Sequence, residues 1–144
     1  DLRKIMDEGK VLLVNLAKWY NMAEIAIERN FTGYAVIAAL INKGYTNIHR
    51  QRDFLTGKVT SNYGWWTNEQ TKEHMRTALR DKLAVLKTWD VNLVRQLRSY
   101  RYIRMKPTAQ SFDDLAIALM IAVAVKKVTG GSRGYIGKIP GYNW

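Results

Sequence analysis

The sequence predicts an α/β domain in which helices cover a sheet. The first observation is a strand–helix–strand order between residues 23 and 49, the repeating unit of layered α/β domains. The second is size, since a chain of 144 residues with 47% hydrophobic residues can bury one substantial core. The third is a series of amphipathic helical segments on either side of this unit.

The first part of the chain alternates helical and extended segments. Residues 3–21 carry apolar side chains at helical spacing, which predicts an amphipathic helix. Residues 23–28, rich in Ile and Ala, predict a short buried strand. Residues 33–43 predict a second helix that ends at Gly44, because glycine adopts the left-handed conformation at little cost. Residues 45–49 predict the next strand.

The middle of the chain predicts a turn followed by a helix. Residues 56–58 (Thr-Gly-Lys) have the composition of a turn. Residues 67–70 (Thr-Asn-Glu-Gln) have the composition of a capping box, which predicts a helix that runs to about residue 86.

The last part predicts two further helices and a tail. One helix begins within residues 89–92 and ends by Pro107. Ser111 predicts the N-cap of an apolar helix over residues 112–127. The glycine-rich residues 129–144 predict a loop or a disordered tail.

The charge is strongly unbalanced, with 23 Lys and Arg residues against 12 Asp and Glu residues, a net charge of +11. Such an excess favours association with nucleic acid or an anionic membrane surface. The absence of cysteine excludes disulfides and thiolate metal sites. The apolar run 115–125 is too short to span a bilayer, and no signal peptide is visible, so we expect a protein that is neither membrane-bound nor secreted.

Acidic residues flank the most apolar stretches. Glu28 follows the first predicted strand, and Asp113 and Asp114 precede the last apolar helix. Carboxylates at the ends of core elements are typical ligands of hard cations such as Mg²⁺. The alternatives are structural: Glu28 as an exposed strand-end acid, and the Asp pair as first-turn acids that the helix dipole favours. His49 and His74 lack the spacing of metal ligands and predict surface or hydrogen-bonded residues.

Two groups of basic residues are candidate phosphate contacts. They are Arg50, Arg52 and Lys58 around the predicted turn, and Arg95, Arg98, Arg101, Arg104 and Lys106 along and after a predicted helix. The alternative is an ordinary solvent-exposed helix face. The aromatic group Tyr63, Trp65 and Trp66 could stack on bases, but core packing at the base of a hairpin is the favoured interpretation.

Four motifs follow one another over roughly residues 10–125. The first motif is Glu28-Arg29-Asn30, followed by Gly33 and by Gly44-Tyr45. The second is Tyr63-Gly64-Trp65-Trp66-Thr67-Asn68, followed by Thr71-Lys72. The last two are Leu93 to Leu97 with Tyr100, and Phe112-Asp113-Asp114-Leu115. In order and spacing they resemble the nuclease domain of terminase large subunits of tailed bacteriophages, with Phe112 where the family often has His.

The resemblance implies a ribonuclease-H-like domain with a mixed central sheet flanked by helices, the module that cuts concatemeric DNA during genome packaging. It implies two Mg²⁺ or Mn²⁺ ions held by a cluster of acids. Glu28 matches the second acid of that cluster and Asp114 or Asp113 the last, while Asn30 would orient Glu28 or a bound water. The implied partners are double-stranded DNA, the packaging ATPase domain, the portal and the small terminase subunit. The implied location is the cytoplasm of the infected bacterial host.

One departure from the family qualifies this expectation. The family's first catalytic Asp lies on an N-terminal strand that would precede residue 1. We therefore expect residues 1–128 to be a partial nuclease domain without its N-terminal strands, followed by the tail 129–144, and we expect this chain alone to cut DNA poorly or not at all. The alternatives are a non-catalytic DNA-binding or assembly fragment, or another ribonuclease-H-fold nuclease such as a junction resolvase.

Overall fold

A computed structural model describes residues 2–53, 55–100 and 113–129 of the chain. Within these residues the protein is mixed α/β, as the sequence predicts, with five helices and a two-stranded antiparallel sheet. The contacts divide the chain into two compact units, and the division falls between Thr67 and Asn68. The predicted cap Ser111, the basic residues Arg101, Arg104 and Lys106, and the tail from residue 130 lie outside the described residues.

The first unit begins with helix α1 (Leu2–Trp19), which confirms the predicted amphipathic helix. Val14 and Ala17 are buried on one face, whereas Leu12 is 67% exposed on another. The burial of every third or fourth residue is what the helical period of 3.6 requires of a helix that packs on one side only.

Helix α2 (Phe31–Asn42) begins earlier than predicted, because Asn30 caps it: the Asn30 side-chain oxygen accepts a hydrogen bond of 2.8 Å from the Gly33 amide. The predicted end at Gly44 is confirmed. Gly44 has a φ of +73°, and its N–H donates to the Ile41 carbonyl at 2.9 Å. The next N–H, that of Tyr45, donates to the Leu40 carbonyl at 3.0 Å. This pair of hydrogen bonds is the Schellman motif.

The core of the first unit lies between α1, α2 and the extended segments that follow them. It consists of the buried residues Val14, Ala17, Ile25, Leu40, Tyr45 and Ile48. The Tyr45 hydroxyl donates to the Ala23 carbonyl, and burial raises the pKa of this phenol. Because Tyr45 directly follows the end of α2, this contact holds the helix end against the segment that precedes Glu28.

The predicted strand over residues 23–28 is wrong as a continuous element. Only Ile25 and Glu28 pair with neighbours, Ile25 with Ile48 and Glu28 with Trp65, each as an isolated parallel bridge. The segment changes partner within three residues, so no ladder long enough to form a strand develops. The parallel pairing of Ile25 with Ile48 on the two sides of α2 is nevertheless the arrangement that a strand–helix–strand unit predicts.

The strand predicted at residues 45–49 is also wrong as an element. Ile48 forms only a bridge, and strand β1 covers Arg50–Arg52. It pairs with β2 (Val59–Tyr63) in an antiparallel hairpin with an irregular register. Pairing in this hairpin, rather than the order of the predicted elements, determines where the strand lies.

The predicted turn at residues 56–58 is confirmed as part of the hairpin connection. One Asp53 carboxylate oxygen accepts hydrogen bonds from the Thr56 amide at 2.7 Å, the Thr56 hydroxyl at 2.8 Å and the Leu55 amide at 3.0 Å. These hydrogen bonds, those from Thr56 first, lower the pKa of Asp53. The hydrogen bonds of the turn therefore favour the ionised form of Asp53, which is the stronger acceptor.

The second unit contains helices α3 (Glu69–Lys82), α4 (Val91–Ser99) and α5 (Asp114–Thr129). The predicted capping box is present, but its members are Asn68 and Thr71. The Asn68 side chain accepts from the Thr71 amide at 2.8 Å, and the Thr71 hydroxyl accepts from the Asn68 amide at 2.7 Å. The helix ends at Lys82 rather than near residue 86.

The predicted start of α4 within residues 89–92 is confirmed, whereas the start of α5 differs from the prediction. Asp90 caps α4 by accepting from the Asn92 amide at 2.8 Å and the Leu93 amide at 3.1 Å, which places Trp89 before the helix. Helix α5 begins at Asp114 rather than at residue 112.

Helix α5 packs against both α3 and α4. Its buried face is rich in alanine and contains no charged residue; it consists of Ala116, Met120, Ile121, Ala124 and Val125. Small side chains allow helix axes to approach closely, so this face lets α5 form the centre of the unit.

Candidate functional site

The backbone around Glu28 is joined to the Gly-Trp-Trp segment, although the two are distant in the sequence. The Trp65 N–H donates to the Ile27 carbonyl at 2.7 Å, and the Arg29 N–H donates to the Trp65 carbonyl at 2.7 Å. Trp65 itself is 2% exposed. Glu28 is therefore held between a buried tryptophan and the start of α2, on a backbone with fixed hydrogen-bond partners on both sides.

Two glycines allow the start of α2 and the Gly-Trp-Trp segment to lie close to the segment that carries Glu28. A Cβ atom on Gly33 would lie 1.9 Å from the Glu28 carbonyl oxygen. Gly64 has a φ of +85°, and a Cβ atom there would lie 2.8 Å from the Ile27 carbonyl oxygen. Real Cβ atoms do not approach oxygen so closely, so both motifs require glycine for contact with the segment that carries Glu28.

The Glu28 carboxylate is half-buried and is bonded to Asn30. The Asn30 side-chain nitrogen donates to one carboxylate oxygen of Glu28 at 3.3 Å. The Asn30 side-chain oxygen accepts from the Gly33 amide at 2.8 Å and from the Thr32 hydroxyl at 3.0 Å, which fixes the orientation of the amide. Among the described residues, no Lys or Arg forms an ion pair with Glu28.

Asp113 and Asp114 lie at the start of α5, and a residue of another helix caps that start. The Gln96 side-chain oxygen accepts from the Leu115 amide at 2.8 Å and from the Ala116 amide at 3.1 Å. Gln96 thus satisfies two of the amides that first-turn acids often satisfy. Asp113 is half-buried, Asp114 is exposed, and neither carboxylate forms an ion pair with a described residue.

Sequence reasoning missed Gln96. A glutamine inside α4 carries no local signal that it caps a helix many residues later, since the contact exists only when the two helices pack together. Because Gln96 accepts from the Leu115 and Ala116 amides, neither Asp113 nor Asp114 caps these two groups.

Glu28 belongs to the first unit, and Asp113 and Asp114 belong to the second. Their approach to one another stays a prediction. Within the described parts of the chain, no group of three or more His, Asp or Glu side chains is close enough to hold a metal ion. By their chemistry, the three carboxylates are suitable ligands for Mg²⁺ or Mn²⁺, which prefer oxygen donors.

The basic residues of the hairpin are held in place by their neighbours. Arg50 donates to the Tyr63 hydroxyl at 2.7 Å, and its guanidinium lies 4.6 Å from the centre of the Tyr63 ring. Arg52 donates to the Gly57 carbonyl at 3.2 Å, and Lys58 is exposed. These contacts leave the positive charges at the surface of the hairpin.

The second basic group is described only in part. Arg95 and Arg98 are exposed on α4, three residues apart and therefore on one side of the helix. The remaining members of the group follow α4 in the sequence and lie outside the described residues.

The aromatic group divides into a core member and a surface member. Trp65 is buried, as the core interpretation predicts. That interpretation is wrong for Trp66, which is 42% exposed and carries the Arg29 guanidinium 4.9 Å from its ring centre. His49 is buried and lies 2.9 Å from a Glu24 carboxylate oxygen, so its expected hydrogen-bonded role is confirmed.

The comparisons with known proteins give no match: no family model matches the chain, and neither a curated protein nor a solved structure is significantly similar to it. None of the helices in the described residues combines the length and apolar character needed to cross a membrane.

Proposed function

We propose that this chain is the metal-dependent endonuclease module of a bacteriophage packaging terminase, with a ribonuclease-H-like fold, acting on concatemeric double-stranded DNA. The observation that carries the proposal is the junction of two motifs at Glu28. Both the Glu28-Arg29-Asn30 segment with Gly33 and the Gly64-Trp65 segment resemble terminase motifs, and hydrogen bonds join them around one available carboxylate.

Glu28, Asp113 and Asp114 would hold the metal ions. When bound, such ions supply a hydroxide from water and stabilise the leaving 3′ oxygen of the cut phosphodiester. Asn30 orients Glu28 through its amide, which is itself fixed by the Gly33 amide. Asp113 and Asp114 precede the two amides that Gln96 caps, so neither carboxylate is needed to cap them, and both would serve as metal ligands.

The positive charge would hold the DNA backbone. The exposed residues Arg50, Lys58, Arg95 and Arg98 can contact phosphates, a mode of binding that positions DNA without selecting its sequence. The packaging ATPase domain, the portal and the small terminase subunit are the proposed protein partners, and the cytoplasm of an infected bacterium is the proposed location.

The test combines Mn²⁺ binding with DNA nicking. Calorimetry measures Mn²⁺ binding to the chain and to Glu28→Gln, Asp114→Asn and the control Glu69→Gln. Glu69 is a matched acid because it lies in the first turn of α3, with its side chain 79% exposed. The same variants are then incubated with supercoiled plasmid and Mn²⁺ at low salt.

We expect Glu28→Gln and Asp114→Asn to weaken Mn²⁺ binding at least tenfold, and Glu69→Gln to leave it unchanged. Any nicking by the chain should require Mn²⁺ and disappear in the first two variants. Wild-type Mn²⁺ affinity in Glu28→Gln, or nicking that survives the substitution, would show that the site is assigned wrongly.

A second candidate function is DNA binding without catalysis. The observation in its favour is that the described residues contain exposed arginines but no group of three metal-ligating side chains. This candidate predicts that the chain binds DNA with equal affinity in EDTA and in Mn²⁺. Glu28→Gln should leave both of these DNA affinities unchanged, and no variant should nick plasmid.

A further inference from the structure

Three aromatic side chains of the first unit are exposed and lie close in the sequence to Glu28 or to its hydrogen-bonded partner Trp65. Phe31 is 94% exposed, Tyr34 is 54% exposed and Trp66 is 42% exposed. Phe31 and Tyr34 lie three residues apart at the start of α2, so they lie on one side of the helix. A phenylalanine exposed to this extent contributes almost nothing to the core.

A guanidinium lies against one of these rings, that of Trp66, and another lies against Tyr63, three residues earlier in the sequence. The Arg29 guanidinium lies 4.9 Å from the Trp66 ring centre, and the Arg50 guanidinium lies 4.6 Å from the Tyr63 ring centre. A guanidinium stacked on a ring presents a flat, positively charged face. Flat faces stack on nucleobases, and positive charge attracts the phosphates that join them.

The backbone connects these residues directly to Glu28. Arg29 follows Glu28 in the sequence, and its N–H donates to the carbonyl of Trp65, the neighbour of Trp66. Phe31 follows Asn30, whose amide contacts the Glu28 carboxylate. The exposed rings therefore belong to residues that lie next to the segment carrying Glu28, or next to its hydrogen-bonded partner Trp65.

We propose that Arg29, Phe31, Tyr34 and Trp66 form an aromatic platform that stacks on unpaired bases of a DNA strand next to Glu28. Bases within an intact duplex are already stacked on one another, so exposed rings favour a strand that is opened or frayed. The position of this strand beside a cleavage site rests on the proposed function, whereas the binding of bases does not.

The alternative occupant of the platform is an apolar surface of another protein. Charge favours the nucleic acid, because the chain has a net charge of +11 and two arginines stack on aromatic rings in this unit. An acidic protein segment would offer charges without flat rings for Phe31 and Trp66 to contact. An unpaired DNA strand offers both.

The experiment separates base stacking from phosphate contact. Fluorescence anisotropy in EDTA measures binding of the whole chain to a labelled thymidine strand of about 15 nucleotides, a length that one site can cover. The competing probe is an abasic strand of equal length, which has the same phosphates and no bases. The variants are Phe31→Ala, Phe31→Tyr and the control Trp89→Ala, an aromatic residue of the second unit that is 80% exposed.

We expect the chain to bind the thymidine strand more tightly than the abasic strand. Phe31→Ala should weaken binding of the thymidine strand on the order of tenfold and leave the abasic strand unaffected. Phe31→Tyr should retain the wild-type affinity because it keeps the ring, and Trp89→Ala should behave as wild type. Circular dichroism should show all variants folded, since Phe31 is not part of the core.

Equal affinity for the two strands would overturn the proposal, as would a loss in Phe31→Ala that is the same for both. The outcome is independent of catalysis, because EDTA prevents metal-dependent cleavage. Stacking that persists in Glu28→Gln, together with unchanged Mn²⁺ affinity in that variant, would refute the nuclease site and leave the platform intact.

Discussion

Replacement of Gly33 by alanine should disturb the segment that carries Glu28. Gly33 lies in the first turn of α2, where alanine ordinarily stabilises a helix by about 1 kcal/mol relative to glycine. Here the added Cβ would lie 1.9 Å from the Glu28 carbonyl oxygen, 3.0 Å from the Glu28 carbonyl carbon and 3.1 Å from the Asn30 side-chain oxygen. Two of these three atoms belong to the backbone, so a side-chain rotation cannot relieve the closest contact.

The size of the effect follows from the interactions that the shift breaks. Moving the Glu28 carbonyl by an ångström or so displaces the backbone bonded to Trp65 on both sides, two hydrogen bonds of about 0.5–1.5 kcal/mol each. It also moves Asn30 as the N-cap of α2, whose loss costs about 0.5–2 kcal/mol. After subtraction of the helix-propensity gain of about 1 kcal/mol, the free energy of unfolding should fall by about 0.5–4 kcal/mol.

Gly9→Ala is the matched control. Gly9 also lies in a helix of the first unit, but a Cβ atom there would meet no atom within 4 Å. This variant should therefore gain about 1 kcal/mol from helix propensity alone. Urea unfolding measures both, with tryptophan emission reporting the exposure of Trp65, which is 2% exposed in the folded unit.

Gly33→Ala should therefore lower the free energy of unfolding, whereas Gly9→Ala should raise it. Gly33→Ala should also weaken Mn²⁺ binding, because it moves Glu28 and Asn30 together. If Gly33→Ala is as stable as the wild type, or gains stability as Gly9→Ala does, the close contact inferred between Gly33 and the Glu28 carbonyl oxygen is wrong.

Three further predictions concern other parts of the molecule. Gln96→Leu should destabilise the second unit by about 1–2 kcal/mol, because it leaves two amides at the start of α5 without their acceptor, and hydrogen exchange at Leu115 should become faster. The pKa of Asp53 is lowered, so its contribution to stability should be present above the ordinary pKa and lost as pH falls through the native pKa; an NMR titration that gives an ordinary or raised pKa would contradict this. Binding to double-stranded DNA should weaken steeply with salt through counterion release and show little sequence preference, and Arg95→Ala with Arg98→Ala should lower the salt slope by about two.

The helices were largely predictable from the sequence, whereas only some of their ends and caps were. Helix α1 follows from its apolar spacing, and the end of α2 follows from Gly44. The start of α3 follows from its capping box, although the members proved to be Asn68 and Thr71. These features rest on contacts between residues no more than five positions apart, so the information lies within a short window of sequence.

The strands and the surroundings of Glu28 depended on the tertiary structure. The apolar segment before Glu28 predicted a strand, but its residues pair singly with Ile48 and with Trp65. Burial separated Trp65 from Trp66, two identical neighbours that composition cannot distinguish. The reason in both cases is that strand pairing and burial depend on which distant segment lies alongside.

The roles of Gly33 and Gln96 also depend on contacts that could not be predicted from the sequence. Gly33 is part of a motif in the sequence, but only the folded chain shows that the absence of a side chain there leaves room for the Glu28 carbonyl. Gln96 carries no signal at all, and it caps α5 because α4 packs beside that helix. A side chain that acts on a remote backbone acquires its role from the packing of whole elements, and local propensity has no means of specifying that contact.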